Sequence, residues 1–399
     1  MATKTRAKGD GSIYKNAQGL WTCSLELPSE NGKRRRKVFR NKDRGTVIKQ
    51  LREFKAQLAE VGDMPTASWR ADKWFMHWLD DIAPRLDTRP KTLAGYRSGL
   101  VGFAIPELGS LPLEKITPAH IRKVHDRVLN TPKPKGLREK PQEEWPDDVV
   151  MLSSTYALNV HNAMSAALKT AVSDGILRSN PCDRAARPRP RKAEQKALSL
   201  EEAIQLLAYC TTIEDGPLWA TYLLTGARRG EILGLERDRV QDLLDLSWQL
   251  QRIPNLKRDA AADYEYRHLN GSLYLTRPKS SKGWRIIPLV EPLKSIMGLA
   301  VQAAEDELVF TRNGQAWDPD AATDRWKEVL AGAGLPDDIV LHGSRHTTAD
   351  LLYAAGVPED LIMDILGHSV RSVTRGYRTR TDIKRLTDAM TKLSKQLTA

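Results

Sequence analysis

The chain has 399 residues, with 62 Lys and Arg against 50 Asp and Glu, a net charge of +12, and 41% hydrophobic residues. That is more than one ordinary domain, and it is apolar enough to bury sizeable cores, which excludes a disordered chain. No apolar run approaches the roughly 20 residues of a membrane-spanning helix. No hydrophobic segment follows Lys4, Arg6 and Lys8, and Cys23, Cys182 and Cys210 are too scattered for a zinc site or a disulfide framework. The expectation is a cytoplasmic protein without cofactor, structural metal or membrane contact. Its basic balance suits a polyanion, because cations that neutralise phosphates release counterions.

The charge is unevenly placed. Residues 1–60 hold 15 Lys and Arg against 6 Asp and Glu, a balance of +9. Within them Ser12–Tyr14, Trp21–Leu27 and Lys33–Phe39 alternate in strand fashion, separated by turn-like NAQG and SENG. A helix is expected from about Arg44 to Ala59, with Val47, Leu51, Phe54 and Leu58 at helical spacing. Residues 1–62 therefore read as a small basic sheet-plus-helix module. The triple arginine Arg34, Arg35 and Arg36 would lie on a sheet face laid into a DNA groove.

From 65 to 186 the pattern is helical, and Trp69, Trp74, Phe75, Trp78 and Leu79 form an apolar stripe that reads as core. Thr117 and Pro118 open one helix as N-cap and first-turn proline. The proline-broken stretch 131–150 reads as an inserted loop, and a long helix is expected from about Ser153 to Asp174. Residues 187–197, in the Arg-Pro alternation around them, form an extended basic linker, either a spacer or a tether along the DNA backbone. Ser199 and Glu202 then carry a capping-box signature that opens a last domain, 198–399.

The reactive side chains concentrate in that domain. TGARRGE at 225–231 sits between apolar helical stretches; its glycines permit a sharp turn that aims Arg228 inward, while Glu231 starts the next helix. Lys279 and Lys282 lie between strand-like Ser272–Thr276 and Trp284–Leu289, an arrangement that predicts a β-hairpin. His342 and Arg345, three apart, share one helical turn. Arginine suits a phosphate because its planar fork grips two oxygens and stays charged. His368 and Tyr377 follow, while His346 reads as a packing residue. Each of these residues alone is ordinary; their ordered combination points to phosphoryl transfer on DNA by a tyrosine nucleophile. Thr381–Leu397 reads as an amphipathic helix that packs in cis or on a neighbouring protomer.

These boxes resemble those of the tyrosine recombinases, the phage integrase family, over nearly the whole chain. T-G-x-R-x-G-E is matched at 225–231, H-x-x-R-H at 342–346, and L-G-H at 366–368 with a tyrosine nine residues later. The resemblance implies a multidomain, mainly α chain. Its parts would be an arm-type DNA-binding module, a helical core-binding domain and a mixed α+β catalytic domain. It implies Arg228, Lys279, His342, Arg345, His368 and Tyr377 as catalytic residues, with Glu231 supporting the arginine. Lys279 is preferred to Lys282 for its place after the first strand, although residues 253–272 are longer than such a hairpin needs. It further implies a 3′-phosphotyrosyl intermediate, four protomers on two duplexes bearing core and arm sites, and integration of a phage or other mobile element. It leaves room for a host DNA-bending protein and an excision factor, in a bacterial, nucleoid-associated setting. A type IB topoisomerase, a chromosome-dimer resolvase and a non-enzymatic DNA-binding regulator are the rival readings.

Overall fold

The structure, a computed structural model, describes residues 12–30, 33–61, 69–86, 88–190, 196–254, 256, 260, 263–277, 284–367 and 380–398. The chain forms two compact units, Met1–Ile82 with Gly95–Pro190, and Ala83–Ala94 with Arg191–Ala399.

In the first unit β1 (Ser12–Lys15), β2 (Trp21–Glu30) and β3 (Lys33–Asn41) form an antiparallel sheet in chain order, each strand running slightly further than its alternation predicts. Register places Cys23 opposite both Ile13 and Phe39, so one face is apolar. Helix α1 (Arg44–Val61) covers that face with Val47, Leu51 and Phe54, and Asp43 caps it by accepting from the Thr46 amide at 2.7 Å. Arg36 is exposed on β3 opposite Glu26, and Arg35 lies opposite Leu27.

The remainder of this unit is helical. Helix α2 (Ala71–His77) runs on through a π-helical turn to Ile82, and α3 (Pro90–Gly99), whose residues from Gly95 belong to this unit, and α4 (Ile105–Leu108) follow. The tryptophan stripe is core, as expected. Trp74 and Trp78 are buried, and their indole N–H groups donate to Ala167 O at 3.0 Å and Thr170 Oγ1 at 2.9 Å. Thr117 caps α5 (Pro118–Leu129) and Ser153 caps α6 (Ser154–Ser173), the long helix. Residues 131–150 are irregular yet tied to themselves, with the Trp145 indole donating to Leu137 O at 2.9 Å.

Between α5 and α6 lie two buried imidazoles, His125 and His161, joined Nε2 to Nδ1 at 3.1 Å. Burial, then the neighbouring His161, drives His125 down to about 4, and His161 is lowered by burial and by Arg187. A histidine depressed in the folded state binds protons more readily when unfolded. The stability it contributes is therefore complete above about 6.5, the unfolded value, and is lost as pH falls toward 4. Urea melts followed by tryptophan fluorescence should show this unit's midpoint falling from pH 7 to pH 4.5. A His125→Leu/His161→Leu double variant should be flatter across that interval, and an equally steep profile in the double variant would refute the assignment.

The main part of the second unit opens with α7 (Leu200–Cys210), where the Ser199 amide donates to Glu202 Oε2 at 2.8 Å and the Glu202 amide to Ser199 Oγ at 3.2 Å, the expected capping box. Next come α8 (Gly216–Thr225), α9 (Arg229–Leu233), β4 (Leu243–Asp245), β5 (Gln249–Arg252), β6 (Tyr266–His268), β7 (Leu273–Thr276) and β8 (Ile286–Pro288). After them lie α10 (Leu293–Ala303), the β9–β10 ribbon (Thr311–Arg312 with Gln315–Ala316), α11 (Pro319–Gly332), α12 (Gly343–Ala354), α13 (Glu359–Leu366) and α14 (Arg380–Thr398). A large core centred on Trp219, Tyr222 and Trp326 runs through the unit, with a smaller cluster of Ile253, Leu256 and Tyr274. Cys23, Cys182 and Cys210 are buried free thiols, and burial pushes the last two up to about 12.

Among the described residues, the strands on either side of the lysines do not pair as the expected hairpin. Strand β7 pairs with β5 on one edge and β6 on the other, while β8 pairs with β4 in a separate sheet. The long polar stretch 253–272 is the cause. It contributes β6, which occupies the edge of β7 that a hairpin partner would need.

Helix α14 packs in cis. Leu386, Ala389, Met390, Leu393 and Leu397 enter the core of their own unit, Ser394 Oγ donates to Glu291 O, and Arg385 meets Asp360 at 3.1 Å.

Candidate active site

The site grows from two helix starts and two helix ends. Helix α8 stops at Gly226, whose φ of 57° only glycine adopts freely, and a Cβ there would sit 2.5 Å from Leu366 Cδ2. The turn delivers Arg228 as the N-cap of α9. Helix α12 starts at His342 and carries Arg345 in its first turn. Helix α13 ends at Gly367, also left-handed at φ 70°.

Arg345 is 2% exposed. It donates from Nη1 to Gly226 O at 2.8 Å and from Nη2 to Leu366 O, so carbonyls from two elements fix its plane. Among the described residues, two of its five N–H groups are thereby used. Arg228, still 36% exposed, donates from Nη2 to Gly367 O at 3.1 Å and from Nη1 to Glu231 Oε1 at 2.7 Å. Its backbone amide donates to Glu231 Oε2 at 2.6 Å. His342 is exposed beside them, edge-on to His346 at 5.4 Å between ring centroids.

Glu231 sits at the centre. Burial alone would raise its carboxyl, but Arg285 and then Arg228 outweigh burial and hold it below the usual range. Arg345 feels burial first and then the charges of Arg285 and Arg228, against the pull of Glu231, and falls to about 9. It remains a cation at neutral pH. His342 is lowered by loss of surrounding water and by Arg345, His346 and Arg228, which keeps it neutral and able to accept a proton.

Of the residues singled out in the sequence, Arg228, Glu231, His342 and Arg345 come together. Lys279, the alternative Lys282, His368 and Tyr377 lie outside the described residues. The flanks of 278–283 are described: the Arg277 guanidinium lies between the Trp248 and Trp284 rings, 4.4 and 4.8 Å from their centroids. Arg285 was missed. It is buried and forks both oxygens of Glu231 at 2.7–2.8 Å, yet in the sequence it is one polar residue in an apolar strand. An arginine inside Trp284–Leu289 was the one available signal, since a buried charge needs a partner.

Comparison with known proteins gives the context. Residues 196–383 match the phage integrase family model, and residues 72–129 match the N-terminal SAM-like domain of phage integrases. The chain belongs to the phage integrase family. It is a tyrosine recombinase, an enzyme of site-specific DNA strand breakage and rejoining. An integrase of Saccharopolyspora erythraea is 25% identical over 92% of both chains. A XerC-like tyrosine recombinase of Caldanaerobacter subterraneus is 22% identical over 99% of both. Among solved structures, the Tn1549 transposon integrase in complex with a circular intermediate DNA aligns with TM-score 0.57 at 17% identity, over 80% of this chain and 99% of that one. A lambda integrase tetramer bound to a Holliday junction aligns with TM-score 0.51 at 14% identity, over 92% and 97%. These two likenesses concern the fold. The mainly α, multidomain architecture expected from the sequence is the one found.

Proposed function

We propose that this recombinase integrates a mobile element, such as a phage, into host DNA, and that Arg228 and Arg345 grip the scissile phosphate. The observation that carries the reading is a charge imbalance. Three guanidiniums, Arg228, Arg285 and Arg345, surround one carboxylate, Glu231, and leave two positive charges unmatched among the described residues. Arg345 is held out of water, where a charge needs a counterion, and the partly exposed Arg228 lies beside it. A phosphodiester supplies one negative charge, and its five-coordinate transition state supplies two. The site therefore fits the transition state better than the substrate, which is the requirement for catalysis.

In this reading the Tyr377 hydroxyl attacks phosphorus and the 5′ oxygen leaves, forming a 3′-phosphotyrosyl bond. Neutral His342 accepts the tyrosine proton, Lys279 protonates the leaving oxygen, and His368 hydrogen-bonds the phosphate. The bond energy is kept in the ester, so a second 5′-hydroxyl reverses the steps on a new partner strand. Residues 1–62 bind arm-type sites through Arg34, Arg35 and Arg36, residues 65–186 bind the core site, and four protomers act on two duplexes. A host DNA-bending protein and an excision factor belong to the same proposal.

The test uses duplexes from the ends of the element, nicked beside the scissile phosphate so that the released fragment diffuses away. The full chain should accumulate a complex that survives denaturation. Deletion of residues 1–62 should leave that trapping intact while abolishing integration between arm-bearing sites. Reversible binding with nothing trapped would favour the DNA-binding regulator. Unimpaired recombination after the deletion would favour a resolvase without arm sites.

A further inference from the structure

We propose that Arg285, which is too buried to meet DNA, is a positioning residue that acts through Glu231 to hold Arg228 on the scissile phosphate. The inference rests on the reading above, in which Arg228 grips that phosphate.

The geometry is specific. Each oxygen of Glu231 takes one bond from each arginine. Oε1 accepts Arg285 Nη1 at 2.8 Å and Arg228 Nη1 at 2.7 Å, while Oε2 accepts Arg285 Nη2 at 2.7 Å and the Arg228 amide at 2.6 Å. With Arg228 alone, the carboxylate could turn about its last torsion and carry the guanidinium with it. The second fork removes that rotation, because a bidentate arginine–carboxylate pair is planar. Arg285 is itself held: its carbonyl accepts the Leu246 amide at 2.9 Å, and its side chain is 1% exposed.

The same guanidinium also packs under Gly367. A Cβ on Gly367 would lie 3.0 Å from Arg285 Nη1 and 3.5 Å from Arg228 Nη1, so only glycine lets the backbone settle there without displacing a neighbour. Gly367 O is in turn the second anchor of Arg228. Arg285 thus touches both supports of Arg228, the carboxylate of α9 and the left-handed end of α13. Lysine at 285 keeps the charge but offers a single point donor, so it cannot reproduce the fork.

The experiment is a single-turnover assay with the full chain at saturating nicked duplex. Its amplitude counts folded, DNA-bound molecules, and its rate constant reports the geometry of the site. Arg285→Lys should keep the DNA dissociation constant within about twofold. Its rate constant should fall ~10- to 100-fold, the scale of an angstrom-sized misplacement. A residue that only supports the fold would lower the amplitude and leave the rate constant alone. Should Arg285→Lys fold poorly, Glu231→Met with Arg285→Met removes the buried pair together, a change that is often neutral for stability. That double variant should lose no more rate than Glu231→Met alone, because both residues act along one path. A rate constant within twofold of the parent for Arg285→Lys, or additive losses in the double variant, would overturn the proposal. If the parent chain traps no DNA at all, it is the underlying reading that fails.

Discussion

Tyr377→Phe should form no covalent complex on the nicked duplex, a loss of at least ~10⁴-fold in adduct yield per unit time, with DNA affinity within about twofold of the parent. The substitution removes a single oxygen. The aromatic ring that remains cannot attack phosphorus, and no second phenol in the sequence stands at the nine-residue spacing after the L-G-H box. The arginines should still bind the phosphate, so the variant ought to assemble on DNA as the parent does. A gel-shift titration reads affinity, and a denaturing gel of the same samples reads the covalent bond. A denaturation-resistant adduct with the variant would mean that another residue is the nucleophile.

Arg345→Lys should slow cleavage by ~10²- to 10³-fold, the range seen when one preorganised donor to a transition-state oxygen is lost. It should also lower thermal stability, because Arg345 serves two masters. Its fork joins Gly226 O, at the end of α8, to Leu366 O, near the end of α13; Arg228 follows the first in the chain and donates to Gly367 O beside the second. A lysine reaches one carbonyl and leaves the other buried without a donor, at a cost of about 1–3 kcal/mol. Single-turnover cleavage and a melting curve on the same preparation separate the two effects. Parent-like cleavage by a variant that melts several degrees lower would show that Arg345 is structural and not part of the chemistry.

Much of the fold was legible because its signals are local. The Ser199–Glu202 cap, the Thr117–Pro118 start, the Trp74–Leu79 stripe and the two arginine boxes each lie within a few residues. Helical periodicity or capping chemistry exposes such short patterns. Three described features were not legible, for one common reason. Arg285 and Glu231 are separated by 54 residues, and nothing in either neighbourhood announces the other. The sheet partners of β7 depended on whether 253–272 would loop out or add a strand, a competition for edges that alternation cannot decide. The docking of α14 in cis rather than on a neighbour likewise depends on which apolar seam its chain can reach. Spacing reveals which residues share a turn; it is silent on which turns meet.

The unmatched charge around Glu231 has a consequence for the resting protein. Arg228 and Arg345 sit near a third cation, Arg285, and burial together with the charges of Arg285 and Arg228 lowers Arg345 to about 9. The free chain therefore carries repulsion that a well-folded interior would normally shed. Replacing Arg228 with a neutral residue should relieve it, leaving the empty protein sturdier and the enzyme inactive. On the proposed function, folding and function pull against each other at this one point, and DNA would reconcile them by bringing the missing negative charge. On that proposal, each release of DNA would leave the two charges unmatched again and so favour binding the next duplex.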